Sequence, residues 1–109
     1  MMKKQRKLRN DRRHMIYVIT NMVTGDQYIG LTGIGKAGSV VKSLKRRMQK
    51  HMQRARTEGK SWGLCEDLRT YGSTTFTYGL VEVVRGKELA HERELELIRE
   101  FNPTLNTFR

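Results

Sequence analysis

A chain of 109 residues is long enough to enclose one hydrophobic core and too short for two. Its 22 Lys and Arg against 11 Asp and Glu give a formal net charge of +11, which points to a polyanionic partner, nucleic acid first. No stretch of the sequence approaches the ~20 apolar residues of a membrane span, and the single cysteine, Cys65, excludes an internal disulfide and a cysteine-built zinc site. That cysteine usage fits a reducing, intracellular and cytoplasmic setting.

The positive charge is concentrated at the start. Within residues 1–14, Lys3, Lys4, Arg6, Lys7, Arg9, Arg12 and Arg13 stand against Asp11 alone, so this segment carries +6 of the total. It has too few apolar side chains to offset the entropy of ordering, and is expected to be a flexible arm. Such an arm grips phosphates with an affinity that falls with salt, or serves only as a solubilising tail. Residues 15–109 are expected to form the domain.

Ile16 to Gly30, IYVITNMVTGDQYIG, reads as a β-hairpin, with turn formers from Asn21 to Asp26 between two short strands. Facing the same way across the hairpin, Tyr17 and Tyr28 could both reach one small substrate; the plainer alternative is that both serve β-propensity. Leu31 to Lys42 is expected to be a glycine-rich connection that lacks the Walker pattern, with Lys36 as an added phosphate contact. A helix follows from Ser39 or Val40 to about Glu58, with Val41, Leu44, Met48, Met52 and Ala55 as its apolar stripe. Arg47 and His51 lie one turn apart on the flank of that stripe, and Arg46, Lys50 and Arg54 point further toward solvent.

Gly59 is expected to end this helix. A shorter one then runs from Lys60-Ser61 to Tyr71-Gly72, with Trp62, Leu64, Cys65 and Leu68 as core residues. Thr74 to Val84 reads as the third strand, with a bulge or close approach at Gly79, and Gly86 ends it. On the last helix, Lys87 to Phe101, an apolar face is expected from Leu89, Ala90, Arg93, Leu97, Ile98 and Phe101, with Glu94 inside it. A carboxylate there needs a metal, a cation or hydrogen bonds, and a salt bridge to Arg47 or Arg93 would satisfy it without any catalysis. The chain then turns at Asn102-Pro103 and reaches Asn106.

Taken together, IY at Ile16-Tyr17, YIG at Tyr28-Ile29-Gly30, an arginine on the first helix, a glutamate on the last and a late asparagine resemble the GIY-YIG nuclease superfamily from Ile16 to Asn106. The motif's first glycine is absent, since Met15 precedes Ile16. The resemblance implies an α+β fold, a three-stranded antiparallel sheet flanked by about three helices. It also implies roles. Tyr17 and Tyr28 match the motif tyrosines, one of which helps to activate water. Arg47, preferred to Arg46 by its flank position, matches the arginine that neutralises the scissile phosphate. His51 matches a tyrosine or histidine position near the reaction, and Lys60 an active-site cation. Glu94 matches the carboxylate that binds one divalent cation, Mg²⁺ or Mn²⁺, and Asn106 a polar residue that supports the site.

The activity implied is metal-dependent cleavage of double-stranded DNA, of a homing, phage or mobile-element kind, with modest specificity. Either Tyr17, Tyr28 or His51 would take the proton of the attacking water, and a tyrosine would need nearby cations to lower its pKa from ~10. The basic arm and Arg46, Lys50 and Arg54 would hold DNA, with a second copy or an accessory protein as a further partner. The alternatives are a non-catalytic nucleic-acid-binding protein on the same fold and a small ribosome-associated protein.

Overall fold

The computed structural model describes residues 12–35, 39–57 and 63–106. Three strands, β1 (Arg13–Asn21), β2 (Gln27–Gly33) and β3 (Phe76–Arg85), form one antiparallel sheet in the order β2-β1-β3. The helices are α1 (Val40–Thr57), α2 (Gly63–Tyr71) and α3 (Lys87–Phe101). This is the α+β architecture expected.

The central strand explains why the run MIYVI is apolar throughout rather than alternating. Both faces of β1 are covered, so successive side chains enter two different cores. Met15, Tyr17 and Ile19 pack with Leu44, Met48 and Ala55 of α1 and Leu64, Cys65 and Leu68 of α2. Ile16 instead joins Ile29 and Leu97 of α3, with Val18, Leu31 and Ile98 beside them. The hairpin turn is fixed by buried Asn21. Its Oδ1 accepts the Val23 N–H at 2.9 Å, and its Nδ2 donates to Asp67 of α2 at 2.8 Å. One side chain thus orders the turn and ties it to a helix.

Several expectations are corrected. β1 begins at Arg13, so Arg13 and His14 belong to the sheet. β2 continues through Leu31 to Gly33, residues expected in the connection. On α1, Val41 is 74% exposed, and His51 stands in the buried line with Leu44, Met48 and Ala55, only 2% exposed. The stripe is rotated so that Val40 packs on the core where Val41 was expected. Gly79 pairs regularly with Val18 and has open space where a Cβ would stand. The irregularity lies two residues on: Ile16 faces Glu82 while Tyr17 faces Leu80, which leaves Val81 as the extra residue. Ser73–Thr75 winds as a 3₁₀ turn, so the third strand starts at Phe76. On α3, Leu89 and Phe101 are exposed, because only the narrower line through Ala90 and Leu97 meets the sheet. The expected helix stop at Gly59, the start at Lys60-Ser61 and the placement of Trp62 lie outside the described residues.

Candidate active site

The site is built on a glycine. In the β1–β2 register Tyr17 faces Gly30 and Ile19 faces Tyr28, so both phenols lie on the sheet face covered by α1. A Cβ at Gly30 would stand 2.5 Å from Tyr17 Cζ and its hydroxyl, and 2.8 Å from Tyr28 Cε2. Only a residue without a side chain allows the two rings to rest there. The ring centroids of Tyr17 and Tyr28 are 6.3 Å apart, and His51 meets Tyr28 edge-on at 5.4 Å.

From α1, Arg47 and His51 project one turn apart onto the same phenol. Arg47 Nε donates to the Tyr17 hydroxyl at 3.2 Å, and His51 Nε2 lies 2.8 Å from that oxygen. Burial, reinforced by the charges of Arg47 and Arg54, lowers the His51 pKa to about 4. The imidazole is therefore neutral near pH 7, and in the tautomer that carries its proton on Nδ1 its Nε2 accepts the hydroxyl proton of Tyr17. The result is a hydrogen-bonded chain of guanidinium, phenol and imidazole. Burial also raises the pKa of Tyr17, against the opposing hydrogen bond and charge of Arg47, and it pushes up that of Tyr28. Neither phenol rests as phenolate at neutral pH.

Glu94 of α3 is coupled to this group through its field. Its side chain is 17% exposed, and burial raises its pKa against the charges of His91 and Arg47. His91 Nδ1 lies 3.8 Å away. The salt bridge considered between Arg93 and Glu94 is not formed, since Arg93 instead pairs with Glu82 at 2.9 Å and Glu96 at 3.0 Å. Asn106 acts from behind. Its side-chain amide accepts the Ile29 N–H at 2.7 Å and donates to the Ile29 carbonyl at 2.8 Å, which clamps the backbone between Tyr28 and Gly30.

Tyr28, Arg47 and His51 thus gather around Tyr17, Glu94 acts on the two tyrosines electrostatically and Asn106 holds the strand beneath. Lys60, Lys3, Lys4, Arg6, Lys7, Arg9 and Lys36 lie outside the described residues. Arg46 and Lys50 line a groove beside Arg47, and Arg12 shares it. Arg54 is partly buried and near enough to depress the His51 pKa, so it is not the freely solvated cation expected. Sequence reasoning gave Gly30 no chemical part and missed His91, whose position one turn before Glu94 was the available signal.

The fold thus brings together a hairpin with two tyrosines over a glycine, an arginine and a histidine on the first helix and a glutamate on the last. No family model matches the chain, and no curated protein matches it. Among solved structures, a glutamate-to-alanine variant of the catalytic domain of the intron endonuclease I-TevI is similar at a TM-score of 0.67 and 22% identity, covering 89% of this chain and 92% of that one. A second structure of the catalytic domain of homing endonuclease I-TevI is similar at 0.59 and 24%, covering 82% and 88%. The fold of this protein is the fold of that catalytic domain.

Proposed function

We propose that this protein is a GIY-YIG endonuclease that hydrolyses phosphodiester bonds in DNA with one divalent cation held by Glu94. The observation that carries the proposal is the chain from Arg47 through Tyr17 to His51, set in the field of a half-buried carboxylate. The endonuclease names of the two structural neighbours support the same activity.

Arg47 spends Nε on Tyr17 and keeps its terminal nitrogens for phosphate oxygens, where a planar fork both orients the group and stabilises its charge. Tyr17 and His51 are both buried and hydrogen-bonded to each other, so they would act as a pair. In that pair Tyr17, whose hydroxyl also meets the phosphate-directed Arg47, would receive the proton of the attacking water while its own proton passes to His51 Nε2. The shift avoids a free phenolate, which burial opposes. The water oxygen forms the new bond to phosphorus as the bond to the 3′ oxygen breaks.

The donor set fits a hard cation. Glu94 would hold the ion by its single carboxylate, a hard oxygen donor of the kind Mg²⁺ or Mn²⁺ takes; among the described residues no three His, Cys, Asp or Glu side chains gather there. When bound, such an ion stabilises charge on the phosphate and on the departing oxygen.

A supercoiled-plasmid assay tests the proposal. Conversion to open-circle or linear DNA is expected with Mg²⁺, and is expected to vanish with EDTA or with Glu94→Ala. Tight DNA binding by the wild-type protein without conversion would instead identify a binding module on this fold.

A further inference from the structure

Beside Arg47 runs a groove of about 180 Å³, walled by Arg12 and the end of β2 on one side and by Ser43, Arg46, Arg47 and Lys50 of α1 on the other. Four cations line it, and among the described residues no carboxylate does. None of these four forms an ion pair within the described residues. Like charges gathered without counterions repel, so the arrangement calls for an anion from outside.

Arg12 is the distinguishing part. Its carbonyl accepts the N–H of Gly86 at 3.0 Å, which fixes its backbone to the far end of β3. Its Nε donates to the Ile34 carbonyl at 3.3 Å, and its guanidinium lies against Gly33, where a Cβ would stand 3.3 Å from Arg12 Cζ. The sheet therefore holds this guanidinium in place, although its position in the basic run reads as part of a loose tail. Across the groove Ser43 Oγ accepts the Gly35 N–H at 3.2 Å, which leaves its own proton to donate.

We infer that this groove seats the DNA backbone phosphate adjoining the one at Arg47 on the same strand, with Arg12 as its anchor. The inference rests on the nuclease reading for which phosphate is cut; the seat itself needs only a phosphate strand. Arg47 borders both places. Arg46 and Lys50 are four residues apart, about 6 Å along the helix, and so line the same side of the groove. Such contacts set register and orientation without reading bases.

The test uses a 30-base-pair DNA duplex and the full chain carrying Glu94→Ala, with binding measured by anisotropy from 50 to 200 mM salt. Adding Arg12→Ala or Lys50→Ala is expected to lower the slope of log affinity against log salt by about one each. Arg99→Ala removes an equal charge from the last turn of α3 and controls for net charge, with the slope expected to hold. Equal effects from all three, in variants with unchanged circular dichroism, would overturn the seat. In single-turnover plasmid cleavage by protein with Glu94 intact, Arg12→Ala and Lys50→Ala are expected to raise the half-saturating DNA concentration about tenfold. The saturating rate should stay within about twofold, whereas Arg47→Ala should cut it. A saturating rate that falls as far as with Arg47→Ala would also overturn the seat. Slope changes at the groove in a protein that never cleaves would retain the seat and discard the nuclease.

Discussion

Burial that keeps His51 neutral makes the fold sensitive to acid. The unfolded imidazole takes a proton near pH 6.5, and the folded one resists until about pH 4. Stability contributed by the neutral form is therefore present above pH 6.5 and is lost as pH falls toward 4, by up to about 3 kcal/mol. Urea denaturation between pH 7 and 4 should show this loss, and His51→Gln should flatten it. Glu94 runs the other way. Because burial raises its pKa, its ionised form costs stability at neutral pH, and that cost is relieved as pH falls through the folded value. Glu94→Gln is expected to raise the melting temperature without metal. Millimolar Mg²⁺ should raise that of the wild type and leave the variant unmoved, by preferential binding to the folded state. A metal response that survives Glu94→Gln would remove Glu94 as the ligand.

At the scale of elements, the site depends on how closely β2 lies against its neighbours. Gly30→Ala puts a methyl group into the Tyr17 ring, so one of the two must move, at a cost of about 1–3 kcal/mol. Asn106→Ala removes both hydrogen bonds to Ile29 and should cost about 1–3 kcal/mol while sparing Tyr17 and Arg47. Chemical denaturation together with cleavage rates separates the two: the glycine change is expected to abolish cleavage, and the asparagine change to slow it. The hairpin and the last helix were legible in the sequence because each is local, one from turn chemistry and the other from a 3.6-residue pattern bounded by Gly86 and Asn102. The face of α1 was not. Whether Val41 or His51 is buried depends on where the sheet lies, and a histidine satisfied by Tyr17 is buried at little cost. The bulge at Val81 and the fixed position of Arg12 are likewise set by partners far away in sequence.

For the whole molecule, the proposed nuclease has one set of site residues among the described residues, and one strand cut per encounter is the expected outcome. At limiting protein, open-circle plasmid is expected to accumulate before linear DNA, and a time course on a gel distinguishes this from concerted cutting by a preassembled pair. The described residues contain no helix long and apolar enough to cross a membrane. A net charge of +11 speeds encounter with any polyanion, DNA included, at a rate that salt suppresses. Asn106 holds Ile29 from 77 positions further along the chain, and Glu94 also lies well downstream of both tyrosines. On a ribosome the hairpin and Arg47 are made before the clamp and the carboxylate. A product that stops short of Glu94 therefore lacks both that carboxylate and the clamp on Ile29.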